Sequence, residues 1–202
     1  MTTTKLSVTW DYRCPFARNA NEHILAALAA GAPWTAKFIP FSLDQAHVDE
    51  DHDPDVWDNP SMAPNLLAGQ VGIAVRDRIP ERFPQVHLSI FSARHDEGLD
   101  LRDEAMLRSR LAACRVDADL IFEEIQSGWP LDCYRKEHEA AVTEHAVFGV
   151  PTFIVGDKAA FARLMTRPEG DSDLARSTIE NVLAIMERHP ELNELKYTSI
   201  DF

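Results

Sequence analysis

Cysteine is scarce in this chain and odd in number: Cys14, Cys114 and Cys133 lie far apart among 202 residues. That excludes a disulfide framework and a zinc ribbon built from cysteine alone. Positive charge is also short, with 20 Lys and Arg against 33 Asp and Glu, a formal net charge of −13. A surface of that sign repels phosphate backbones and anionic lipid, so neither nucleic acid nor membrane is expected as a partner. Long apolar runs are missing. The uncharged apolar-leaning stretch Ile24 to Ala36 is interrupted by Gly31 and Pro33 and falls short of the roughly 20 residues that span a bilayer. No Gly-x-Ser-x-Gly elbow, His-Glu-x-x-His pair or glycine-rich phosphate loop occurs, and no repeat or low-complexity tract is present. Met1 to Lys5 carries no apolar signal core, which predicts a cytoplasmic protein with reduced thiols.

What remains is globular: 45% apolar and 26% charged residues, enough for one domain with an elaboration or for two small ones. Lys5 to Trp10 alternates apolar and polar as a strand does. Ala17 to Ala30 follows as an alanine-rich helix, stopped by Gly31-Ala32-Pro33, and Trp34 to Leu43 reads as a second strand. The opening unit is β-α-β. Asp44 to Asn59 is acidic and reads as a solvated connection. Beyond it the period becomes helical over Pro64–Ile79, Pro84–Arg94, Arg102–Arg115, Ala118–Ser127 and Leu131–His145, punctuated by proline and glycine. Gly149 to Gly156 is a short apolar strand with a hairpin partner around Ala159 to Met165. A final helix over Ser172–Arg188 is capped by Asp171 or Ser172.

Cys14 stands directly before Pro15, where a helix opens. The first backbone N–H groups of that helix point at the sulfur, and such placements lower a cysteine pKa from about 8.5 toward roughly 3.5 to 7.5. Cys14 is therefore the candidate nucleophile and is expected to be a thiolate at neutral pH. Arg13 and Arg18 are the nearest positive charges by sequence, and Asp11 would oppose them. The commoner role of a free cysteine is a small buried hydrophobe, and that is the role expected for Cys114 and Cys133 within their helices.

With Cys14-Pro15-Phe16-Ala17 after the first strand, Arg94-His95-Asp96-Glu97-Gly98-Leu99 in the helical block, and Val147-Phe148-Gly149-Val150-Pro151-Thr152-Phe153-Ile154-Val155 downstream, the sequence resembles the DsbA-like branch of the thioredoxin fold. The likeness covers nearly the whole chain. It looks closest to cytoplasmic, often actinobacterial, members, and is more distantly similar to 2-hydroxychromene-2-carboxylate isomerases and kappa-class glutathione transferases. It implies an α/β, thioredoxin-like fold with an inserted all-helical domain, divided as 1–58, 59–140 and 141–202. The redox centre then falls on Cys14, with Pro15, Phe16, Val150 and a cis Pro151 binding substrate. Trp10, Tyr12, Arg13, Ala17 and Arg18 surround it.

This sequence has Ala17 where two-cysteine members carry their second thiol. A dithiol cycle is therefore not expected. The resemblance implies instead a thiol oxidoreductase with one nucleophilic cysteine and no tightly bound cofactor. A small thiol such as glutathione or mycothiol, or a partner protein bearing a thiol or disulfide, resolves the mixed disulfide. An isomerase or transferase that holds a small thiol, and a binding module with a decayed site, are the alternatives; a homodimer is compatible with the fold. The cluster His47, Asp49, Glu50, Asp51, His52, Asp53 and Asp55 reads as a solvated loop, so no metal site is assigned. His138 and His145 are two turns apart on one helix and too distant to share an ion.

Overall fold

In the computed structural model, which describes residues 4–49 and 53–199, the sheet has the order β2-β1-β3-β4. Its strands are β1 (Thr4–Trp10), β2 (Trp34–Pro40), β3 (Thr152–Val155) and β4 (Lys158–Phe161). Strand β1 sits centrally, parallel to β2 in a register running from Thr4 with Trp34 to Trp10 with Pro40, and antiparallel to β3. Its alternation buries Leu6, Val8 and Trp10. Helix α1 (Pro15–Ala29) crosses from β1 to β2, ending where Gly31 takes the left-handed φ of 80° that only glycine adopts freely. Helix α8 (Ser172–Arg188) packs on α1, its first turn capped by Asp171, whose carboxylate accepts from the N–H groups of Asp173 and Leu174.

Between β2 and β3 lies the helical insertion: a four-residue turn α2 (Leu43–Ala46), then α3 (Ala63–Arg78), α4 (Phe83–His95), α5 (Glu104–Ala113), α6 (Ala118–Gln126) and α7 (Trp129–His145). The expected division at residue 140 falls inside α7. Helix α3 is the centre of the insertion. Gly72 lets it approach β1: a Cβ there would lie 2.6 Å from Tyr12 Oη and 2.8 Å from Trp10 Cη2. The insertion is thus packed on the strand end that leads to Cys14.

The acidic connection is more structured than its composition suggests. One short 3-10 turn, Val56–Asp58, lies within it and another, Pro60–Met62, follows directly, and Val56 and Trp57 are buried. Its charges dominate any compositional reading, while two apolar residues decide where it docks. Glu50, Asp51 and His52 of the histidine and acidic cluster lie outside the described residues. Among the described residues no group of three potential metal ligands comes together, and no helix is long and apolar enough to cross a membrane. Strand β2 stops at Pro40, short of the expected Leu43, because Ser42 caps α2.

Candidate active site

Cys14 is the N-cap of α1, with extended backbone (φ −92°, ψ 118°). Proline at the first helical position needs no hydrogen-bond partner there, so the chain turns sharply out of β1 with the sulfur over the helix start. Cys14 Sγ accepts from the Ala17 N–H at 3.4 Å and donates to the Val150 carbonyl at 3.4 Å. The Val150–Pro151 bond is cis. Its loop is anchored to β1 through two buried threonines: Thr152 N–H donates to Thr9 Oγ1 at 2.8 Å, and Thr152 Oγ1 donates to the Gly149 carbonyl at 2.8 Å. Cys14 and the Val150 carbonyl therefore meet, with Cys14 and Phe16 half-buried and Pro15 exposed. Ala17 is fully buried.

The charges around the sulfur differ from expectation. Arg13 donates to both oxygens of buried Asp11, Nε at 3.1 Å and Nη2 at 2.8 Å, and its other arm reaches Asp44. Arg18 is buried against Glu22 (2.9 Å) and Asp96, an ion cluster that Arg167 joins through Glu22 at 2.7 Å. Both cations are thus taken up by carboxylates brought in from distant sequence. Arg163 is the cation whose charge favours the Cys14 thiolate, as the weakest of the influences on it, and its guanidinium carbon lies 5.3 Å from the centre of the Phe16 ring.

Burial pushes the Cys14 thiol up. The Ala17 and Phe16 N–H groups and Arg163 pull it down, Asp11 pushes it up, and the net direction is above the ordinary thiol value. This corrects the expected neutral-pH thiolate: the helix start does donate to sulfur, but desolvation outweighs it. At rest the group is a thiol donating to Val150.

Trp10 and Tyr12, placed beside the site by sequence, are buried behind it. Tyr12 belongs to a polar chain that sequence reasoning missed, whereas the buried Trp10 Nε1 has no hydrogen-bond partner among the described residues. Asn21 Nδ2 donates to the Ala17 carbonyl at 2.7 Å, which fixes the amide so that Oδ1 faces His87 Nε2 at 3.0 Å. The Nε2 must carry the proton, leaving Nδ1 to accept from Tyr12 O–H at 2.9 Å. Both ring nitrogens of His87 are thus partnered, and His87, wholly buried, is neutral with its pKa lowered to about 3 by burial. His95 Nε2–H donates to the Tyr12 carbonyl at 2.9 Å. Helix α4 thus holds the turn before Cys14 at two points. The one signal for this in sequence is that His87 falls on the apolar face of its helix.

Cys114 and Cys133 are half-buried rather than buried. Cys114 is the C-cap just past α5, and Cys133 Sγ accepts from Arg76 Nη2 at 3.5 Å. Burial raises both thiols. All three cysteines are free. His145 is the last residue of α7.

No family model matches the chain, and no curated protein sequence matches it. Solved structures do. Pseudomonas aeruginosa DsbA aligns with a TM-score of 0.56 at 21% identity, over 92% of this chain and 87% of that one. 2-Hydroxychromene-2-carboxylate isomerase aligns at 0.62 with 16% identity, over 94% and 100%. The catalytic domain of Proteus mirabilis ScsC aligns at 0.57 with 14% identity, over 90% and 84%. The central β1, the helix opening at Pro15 and the five-helix insertion thus compose the DsbA-like thioredoxin fold, which this chain shares with Pseudomonas aeruginosa DsbA and 2-hydroxychromene-2-carboxylate isomerase.

Proposed function

We propose that the protein is a cytoplasmic thiol–disulfide oxidoreductase in which Cys14 is the sole nucleophile. The observation that carries this reading is the position of Cys14 Sγ, half-exposed between the Ala17 N–H and the Val150 carbonyl, with an alanine in the buried place of a resolving thiol. The Cys14 thiolate attacks a disulfide RS–SR, the S–S bond of the reagent breaks, Cys14–S–SR forms, and the proton lost from Cys14 ends on the departing RSH. A second thiol, small or borne by a protein, then releases Cys14. A thiol of raised pKa has less thiolate at neutral pH, but that thiolate is intrinsically the stronger nucleophile, which suits a slow, selective exchange. Incubation with a small disulfide at pH 8 is expected to give one mixed disulfide at Cys14, lost in Cys14→Ser. Modification confined to Cys114 or Cys133 would refute the assignment.

The isomerase alignment favours a second reading, in which the protein holds a small thiol and Cys14 merely positions it. Glutathione binding that survives Cys14→Ser, measured by calorimetry, would select that reading over the first.

A further inference from the structure

Arg163 is placed with more care than a surface arginine needs. It lies just after β4 on a segment tied down on both sides. Ala162 N–H donates to the Pro151 carbonyl at 3.3 Å, and the Leu164 carbonyl accepts from Asn19 Nδ2 of α1 at 2.8 Å. Asn19 is buried, so this second tie is shielded from water. The two bonds fix the Arg163 backbone between the cis-proline loop and α1, the two elements that flank Cys14. Its guanidinium rests over Phe16, two residues after the cysteine. Arg163 is exposed, and among the described residues it has no carboxylate partner. Arg13 and Arg18, by contrast, are fully engaged.

An unpaired cation over Phe16, at the edge of the site, matters on a chain of net charge −13. An anionic small molecule is repelled by the molecule as a whole and needs a local positive group to settle. We propose that Arg163 is the specificity-determining residue of the site: its guanidinium receives the carboxylate of a low-molecular-weight disulfide or thiol whose sulfur meets Cys14. This rests on the reading of Cys14 as nucleophile. It selects a carboxylate-bearing thiol of glutathione's kind over an uncharged one of mycothiol's kind. The exchange is the one written above, with the disulfide as oxidant: its sulfur is reduced to RSH while Cys14 is oxidised to the mixed disulfide. Planar guanidinium donors suit a carboxylate in two-point contact, and the exposed Arg163 fork over Phe16 has no carboxylate of the described residues already on it.

The test uses the full chain and three disulfides of different charge: glutathione disulfide, hydroxyethyl disulfide (neutral) and cystamine (cationic). Mixed-disulfide formation is followed by mass spectrometry of the peptide containing Cys14. The quantity read is the ratio of rate constants for glutathione disulfide and hydroxyethyl disulfide, which cancels any change in the sulfur's own reactivity. Arg163→Gln is expected to lower this ratio by about two- to fivefold at low ionic strength, the range of exposed ion pairs. Arg163→Glu should lower it further and raise the relative rate of cystamine. Arg163→Lys should restore most of it, and roughly 0.5 M salt should remove the difference between wild type and Arg163→Gln. Equal slowing of all three reagents would mean that Arg163 acts only on the sulfur, which overturns the proposal; so does an unchanged ratio. Absence of any mixed disulfide at Cys14 in the wild type removes the nucleophile itself, and this proposal with it.

Discussion

Acidification from pH 8 to pH 5 should weaken the fold through two buried histidines. His87 and His138 are almost wholly shielded from solvent, and burial lowers them from 6.5 to about 3 and about 4. Both are held neutral by hydrogen bonds that use a ring nitrogen as acceptor: His87 Nδ1 from Tyr12 O–H, and His138 Nδ1 from the Ser42 N–H at 3.2 Å. The unfolded chain takes up a proton at each below pH 6.5, whereas the folded chain does so only near pH 3 to 4. The unfolded state therefore binds more protons in this window, and stability falls as pH falls. At pH 5 an unfolded histidine is 1.5 pH units below its pKa, which at about 1.36 kcal/mol per unit gives about 2 kcal/mol for each residue. Together they remove about 4 kcal/mol from a stability that in domains generally is about 5–15 kcal/mol. Urea unfolding at pH 8 and pH 5 measures the loss. His138→Gln keeps an acceptor for the Ser42 N–H and abolishes the titration, so its loss should be about half that of the wild type. An equal loss in the two proteins would refute the assignment.

Gly72→Ala gains about 1 kcal/mol of helix propensity but drives a methyl group into Tyr12 and Trp10, which costs about 1–3 kcal/mol in a filled core; thermal denaturation should show a lower Tm, and a rise would contradict the packing. Tyr12→Phe leaves His87 Nδ1 buried without a donor, a loss of about 1–3 kcal/mol readable as a lower urea midpoint with unchanged helix content. Asp171→Ala removes the α8 cap and should cost about 1 kcal/mol by the same assay. Because the Cys14 thiol is raised, its alkylation by iodoacetamide should keep accelerating from pH 7 to pH 9, where a low-pKa thiolate would already have levelled off.

The elements carrying the site were legible where local chemistry punctuates the chain. Pro15 opens α1, Gly31 ends it, Pro151 precedes β3 and Asp171 caps α8, each for a reason contained in a few neighbouring residues. The electrostatics were not legible. Arg13 and Arg18 are near Cys14 in sequence, but their partners Asp44 and Asp96 are 31 and 78 residues away, and no local rule announces them. Arg163 reaches the site from the far end of the chain. The thiol's pKa likewise depends on how deeply the sulfur is covered by Val150, a quantity the helix start does not encode. His87 and Tyr12 each looked like an ordinary core residue, and only their pairing across 75 positions makes them a network.

The contact between Cys14 and Val150 spans 136 residues, and this gives the site a history during synthesis. Strands β1 and β2 and helix α1 are complete early, whereas the carbonyl that covers the sulfur emerges only after the entire insertion. At translation rates of about 5–20 residues per second, that interval is on the order of ten seconds. Through it the nascent chain carries Cys14 at an open helix start, without the burial that later holds it as a thiol. The newly made protein is thus more vulnerable to oxidation at Cys14 than the finished one, and the last strands to fold are what quiet it.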